Sequence, residues 1–219
     1  MAGYALYSLD WEKFQRFVNS PTREQLLAFS EIISDGLDEY DEELEEGDPV
    51  ADWPSEPEML CDLVKQRLTM PDWYGDLSDT GKRIWEWAVF GFCMNTNDKE
   101  MGFEVESDGI YWDVIELAQK HHKLPQNYIT DHLLTHFGHR LYRYHPDPEK
   151  RLAFDGWVPY HSMHTPEEVQ QMIEALNVAR PTIEASGDED ALRDYEEELM
   201  PALDKIADRG RMLFIQLDT

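Results

Sequence analysis

A chain of 219 residues, 42% of them hydrophobic and including seven Trp, ten Tyr and nine Phe, has the apolar mass for a packed core and is not an unfolded polymer. Its 46 Asp and Glu outnumber 19 Lys and Arg, and the resulting charge of −27 repels nucleic-acid phosphates and anionic membranes while attracting basic partners. No apolar run approaches the ~20 residues of a membrane span, and the first residues carry no basic n-region ahead of a long apolar run. A soluble, cytoplasmic protein with no direct nucleic-acid or membrane contact is expected.

Tyr4 to Leu9 is a short apolar run of strand length. Asp10 can cap a helix through Val18, with Trp11, Phe14 and Val18 on one side. Ser20-Pro21 marks a second helix start, and Leu26, Leu27, Phe29, Ile32, Ile33 and Leu37 give that helix a wide apolar face. It runs out into Asp35 to Asp48, which holds nine acids and no base and reads as a solvated helix end or a loop. Residues 48 to 57, with Pro49, Pro54 and Pro57 around Trp53, read as a connection.

Ser55 and Glu58 have capping-box spacing ahead of a stripe of Met59, Leu60, Leu63, Val64 and Leu68. The next helix, capped by Ser78 or Asp79, carries Ile84, Trp85, Ala88, Val89 and Phe92 at burial spacing, and its aromatic residues belong in the core. Cys61 and Cys93 lie in these apolar patterns and read as free thiols of a reducing compartment rather than a disulfide. Phe103-Glu104-Val105-Glu106 alternates like a half-exposed strand, Ser107-Asp108-Gly109 like a turn, and Ile110-Tyr111-Trp112 like its hairpin partner. Helices are expected from Asp113 to His121 and from Pro125 to about Tyr142.

Thr165-Pro166-Glu167-Glu168 combines cap, first-turn proline and capping-box Glu, ahead of Val169, Met172, Ile173 and Leu176. Residues 180 to 187 read as a break. Leu192, Tyr195, Leu199, Leu203 and Ile206 then form one apolar helical face, interrupted by Pro201 as a kink or as two consecutive helices. Gly210 supplies a stop, and Met212 to Leu217 is apolar on both faces, as central strands are. The fold class expected is α+β. It is a mostly helical single domain over residues 1–219, around a small sheet that pairs the N- and C-terminal strands.

Chemistry is sparse. His132, His136 and His139 share about 60° of helical arc and could meet at a metal, but Arg143 shares their sector and no acid does. A partly exposed polar face is the reading preferred. His161-Ser162-Met163-His164 lacks the strand-turn-helix setting of a hydrolase nucleophile and reads as a loop. Cys93 has no nearby base to activate it. Neither a phosphate loop, a zinc-type CxxC nor a calcium loop occurs.

Three stretches carry a resemblance: Tyr4-Ala-Leu-Tyr-Ser-Leu-Asp10, Thr165-Pro-Glu-Glu-Val-Gln-Gln-Met-Ile-Glu-Ala-Leu176, and Ala207-Asp-Arg-Gly-Arg-Met-Leu-Phe-Ile215. Over about a third of its length the chain resembles the uncharacterised bacterial YfbM-like proteins. The resemblance implies an opening strand, a closing helix-glycine-strand and a bacterial or phage-like cytoplasmic setting, and it assigns no site. The function expected is a non-enzymatic acidic binding protein, immunity- or inhibitor-like, that docks on a basic protein partner. Its contacts are placed at Asp38, Glu39, Tyr40, Asp41, Glu42, Glu43, Glu45 and Glu46, and at Asp194, Tyr195, Glu196 and Glu197. No catalytic residue and no cofactor is assigned. The rivals are a small-molecule or metal-dependent enzyme on the histidine face, and a housekeeping domain whose charge serves solubility alone.

Overall fold

The computed structural model describes residues 3–69, 77–95, 101–123 and 161–218. The expectation was one domain over the whole chain. The described residues group into two compact units, one of 3–11, 104–123 and 161–218, the other of 12–69, 77–95 and 101–103.

The first unit is built on β1 (Gly3–Leu9), β2 (Glu104–Gly109), β3 (His161–His164) and β4 (Met212–Asp218). They form one antiparallel sheet in the order β2-β1-β4-β3. The two terminal strands are its central pair, in register from Gly3 opposite Asp218 to Leu9 opposite Met212. Their composition explains the position: Tyr4, Leu6, Ser8 and Leu9 are buried, as are Met212, Leu213, Phe214 and Ile215. A strand with no polar face has to be covered on both sides and paired on both edges. The expected α+β class, with the termini joined in one small sheet, is the fold observed.

Four helices belong to this unit: α5 (Trp112–His122), α6 (Pro166–Ser186), α7 (Glu189–Arg193) and α8 (Met200–Asp208). Helix α6 opens with the expected capping box, Thr165 Oγ1 accepting from Glu168 N–H at 3.3 Å and Glu168 Oε2 accepting from Thr165 N–H at 2.8 Å. The break expected at residues 180–187 is corrected: α6 runs through Pro181 and stops only at Gly187, where φ is +75°. Pro201 is accommodated differently. A π-helical turn spans Asp194–Leu199, and Met200 N–H reaches back five residues to Tyr195 O. Proline has no N–H, and its ring crowds the carbonyl four residues earlier. The wider turn opens that spacing just before α8 begins.

Helix α8 ends in a Schellman motif: Arg211 N–H bonds Ile206 O, Gly210 N–H bonds Ala207 O, and Gly210 sits at φ +61°. The hairpin expected after Glu106 does not form. Ser107-Asp108-Gly109 is strand, paired with Leu6, Ala5 and Tyr4, and Trp112 already starts α5. Gly109 is needed there because the Tyr111 ring packs over it, 2.6 Å from where a Cβ would sit.

The second unit is helical: α1 (Trp11–Asn19, from Glu12 onward), α2 (Arg23–Tyr40), α3 (Pro57–Leu68) and α4 (Asp79–Asn95). Its centre is a ring cluster, Phe17 stacked on Phe92 at 4.4 Å and Phe29 edge-on to both Phe92 and Trp85. Such pairs contribute about 0.5–1.5 kcal/mol each beyond area burial. Three local expectations are corrected. Thr22, not Ser20, caps α2, in a capping box with Gln25. The Ser55 box does not form, because Glu56 takes the cap position without a side-chain bond and Ser55 O instead accepts from Ser34 Oγ. Met59 and Leu63 face solvent, and the buried stripe of α3 is Leu60, Cys61, Val64, Arg67 and Leu68. Cys61 and Cys93 are both buried free thiols.

Candidate functional site

The acidic run 35–48 turns out to be a braced surface. Helix α2 carries Asp35, Asp38 and Glu39 into solvent, a 3-10 turn over Asp41–Glu43 follows, and Glu45 and Glu46 complete a row of eight exposed carboxylates. The ninth acid behaves oppositely. Asp48 is 4% exposed, its Oδ1 accepting from Val50 N–H at 2.7 Å and its Oδ2 from Ser78 N–H at 2.9 Å. Gly81 lies so close that a Cβ there would stand 2.9 Å from Oδ2.

Other contacts brace the rest. Thr80 Oγ1 donates to Glu43 O at 3.2 Å, Arg83 Nη1 lies 3.4 Å from Glu43 Oε2, and the Arg83 guanidinium stands 5.5 Å over the Tyr40 ring. Downstream, Trp53 meets Trp85 edge-on at 6.2 Å, and the Arg67 guanidinium stands over the Trp53 ring at 5.6 Å. Eight like charges on a free segment would drive it apart. Here hydrogen bonds, a cation–π contact and an ion pair anchor the segment at Tyr40, Glu43 and Asp48.

The second acidic run, residues 184–198, is electrostatically different. Arg180 Nε bonds Glu184 Oε1 at 2.7 Å and its Nη2 bonds Glu196 Oε1 at 2.6 Å. Arg193 bonds Asp190 at 2.7 Å and Asp194 at 2.9 Å. Both guanidinium pKa values are raised, first by these hydrogen bonds to Glu184 and Asp194 and then by the surrounding carboxylates. Asp188 is also committed, capping α7 through Ala191 N–H. Tyr195, expected as a contact residue, is corrected. It is 2% exposed, with its hydroxyl donating to Asn177 Oδ1 at 3.2 Å, because its position on the apolar face of the segment turns it inward. Glu196 and Glu197 are exposed and Asp194 is partly so.

At the edge of the sheet unit lies a polar network that sequence patterning inverts. The alternation Glu104-Val105-Glu106 implies Val105 inside and both acids outside. Instead Val105 is 62% exposed and the Glu106 side chain 0%. The cause is a β-bulge: Leu6 pairs with Ser107 and Tyr7 with Val105, so Glu106 is the extra residue and its side chain is re-aimed. Its Oε1 accepts from Ser8 Oγ at 2.5 Å, and Lys205 Nζ lies 2.6 Å from its Oε2, an ionic contact off the hydrogen-bond direction. Beside it Arg209 and Arg211 converge on Glu104, at 2.6 and 3.3 Å. The Arg209 hydrogen bond outweighs the desolvation cost and, helped by the charges of Arg211, Arg209 and Lys205, holds the Glu104 carboxyl below the usual carboxylate range.

His132, His136 and His139 lie outside the described residues. Among the described residues, no group of three or more His, Cys, Asp and Glu is placed to hold a metal ion. The loop expected at residues 161–164 is β3. Burial pushes the Cys93 thiol far up, so it is no nucleophile. No described helix is long and apolar enough to cross a membrane. The chain matches none of the protein-family models, curated proteins and solved structures with which it was compared.

Proposed function

We propose that the chain is a non-enzymatic binding protein of the cytoplasm that docks on a basic protein, in the manner of an immunity protein or inhibitor, through the row from Asp38 to Glu46. The observation that carries this reading is the brace. The row's seven exposed carboxylates stand on a segment anchored through Asp48 and through Glu43, where Thr80 and Arg83 make contact. A row held in place steers a basic partner at long range and loses little entropy when it docks. Tyr40, held under Arg83, supplies an aromatic contact within the row. The run 184–198 is the weaker candidate for the principal contact, since four of its acids already have guanidinium partners.

The test is a capture experiment on native lysate at low and high salt, with three baits: wild type, Glu42/43/45/46→Gln, and Glu189/197/198→Gln. The reading requires a basic protein retained at low salt by wild type and by the second variant, and lost by the first. Equal retention by all three baits removes the row from function and leaves solubility as its role.

A further inference from the structure

Helix α3 carries apolar side chains on two faces. Leu60, Cys61, Val64 and Leu68 are buried, whereas Met59 is 62% exposed and Leu63 38%. Four residues apart, the exposed pair lies within about 40° of helical arc and forms one spot. Single apolar residues at a surface are ordinary, but this pair has company. One turn on from Leu63, Arg67 is 7% exposed with its guanidinium over the ring of Trp53, which brings the partly exposed indole to the same flank of the helix.

Carboxylates rim this spot. Glu56 and Asp62 stand about 60° to either side of Met59 on the helical wheel, and Asp52 precedes Trp53. All three are exposed, and none has an ion-pair partner among the described residues. The exposed Lys65 stands about 120° from Met59 and about 160° from Leu63, on the opposite flank. Arg23 reaches that far flank too, at Glu58 O. The patch is also continuous with the acidic row. Ser34 Oγ donates to Ser55 O, one residue before Glu56, and Asp38 stands one turn on from Ser34 along α2.

The rim decides the occupant. A second copy would bring the same carboxylates against these, and the net charge of −27 adds to that repulsion. An anionic membrane is repelled in the same way. A basic segment with an apolar stripe of its own satisfies both the rim and the pair, and Met59 adapts to the shape of what it meets.

We propose that Met59 and Leu63 are the apolar anchor for a basic amphipathic segment of a protein partner, with Asp52, Glu56 and Asp62 facing its cations. The inference rests on the reading of the chain as a protein that docks on a basic partner, and adds the kind of segment that partner presents.

The test uses the full-length chain and two synthetic peptides of equal charge. One has Lys and Leu at amphipathic helical spacing, and the other has every Leu replaced by Ser. The methyl NMR signals of Met59 and Leu63 report the site. The Leu peptide should move them and bind about tenfold or more tightly than the Ser peptide, because only it covers the pair. Met59→Ser/Leu63→Ser should remove that margin and leave affinity for the Ser peptide unchanged, since no charge is altered. Met94→Ser, at an equally exposed apolar position on α4, should keep the margin. Glu42/43/45/46→Gln separates this inference from the reading it rests on. Both peptides weaken if the row contributes and neither does if it is idle, while the margin between them survives in either case. The proposal is overturned if the wild type binds the two peptides equally or binds neither, or if Met94→Ser removes as much of the margin as the α3 pair. Movement of the Met59 and Leu63 signals with protein concentration alone would identify a second copy as the occupant, and movement with neutral vesicles a lipid surface. Either result overturns it equally.

Discussion

The two acidic runs hold nearly the same number of carboxylates, nine and eight, yet they are paired to different extents. In residues 184–198 guanidinium groups from α6 and α7 reach Glu184, Asp190, Asp194 and Glu196, and the apolar face turns Tyr195 into the core. In residues 35–48 the bracing is done by uncharged donors, the Ser78 and Val50 amides and the Thr80 hydroxyl, together with one cation. Neutral donors fix a segment without cancelling its charge. The number of acids in a run is therefore a poor guide to the field it projects, and the identity of the bracing groups is a better one.

The largest effect should come from the acid that is least like its neighbours. Asp48→Ala removes the acceptor for two amides at a site 4% exposed, leaving Val50 N–H and Ser78 N–H without it. A loss of about 3 kcal/mol is expected, from two hydrogen bonds to a buried charge and the exposure or orphaning of their donors. Glu45→Ala, three residues away and exposed, should change stability by less than about 0.5 kcal/mol. Urea unfolding of both variants checks the contrast, and equal costs would mean that Asp48 is no anchor.

Next in size is the effect on association. If the row projects the field, Glu42/43/45/46→Gln should slow binding to the basic partner by about tenfold or more at low salt, while the same partner loses little rate on Glu189/197/198→Gln. The gap should close as ionic strength passes about 0.1 M, where screening reaches about 10 Å. Stopped-flow rates across a salt series read both slopes. Parallel slopes would make the two runs equivalent and break the distinction drawn between them.

What was legible in the sequence follows the range of the interactions involved. The terminal strands could be read because a run apolar on both faces has few alternatives to the middle of a sheet, and the Thr165 capping box because all its parts lie within four residues. Asp48 could not be separated from eight similar acids, since its distinguishing partner is an amide 30 residues away. Glu106 was read backwards because alternation assumes an unbroken ladder, and a single extra residue in β2 exchanged its side chain with that of Val105. Pro181 and Pro201 both looked like breaks. One is carried inside α6 and the other is accommodated by a π turn before it, so a proline alone does not mark where a helix ends. The histidine face and its metal option fall outside the described residues.

A smaller effect sharpens the electrostatic side of the comparison. Arg180 ties α6 to the π turn through Glu184 and Glu196, all three at the surface. Arg180→Gln should lower the thermal midpoint slightly and more at low salt, because it releases two carboxylates to repel Glu197 and Glu198. Arg83→Gln should leave Glu43 to its neighbours in the other run with a similar sign. Scanning calorimetry at two ionic strengths distinguishes these from packing losses, which salt does not restore.

The smallest effect concerns Glu104, where an exposed acid is paired as the second run is paired. Its carboxyl is held below the usual range, first by the Arg209 hydrogen bond, so the folded state binds its proton less readily than the unfolded chain does. For a carboxylate with a depressed folded value, the contribution to stability is present above the unfolded value, near 4.3 for Glu, and is lost as pH falls through the folded value. Glu104→Gln cannot titrate, so its stability should fall less steeply than that of the wild type over that acid limb, while the two curves run parallel at neutral pH with the variant slightly lower. Unfolding followed in half-unit steps from pH 6 to 3 reads the difference. Curves that stay parallel through the acid limb would show that Arg209 and Arg211 stabilise Glu104 no more in the folded chain than water does in the unfolded one.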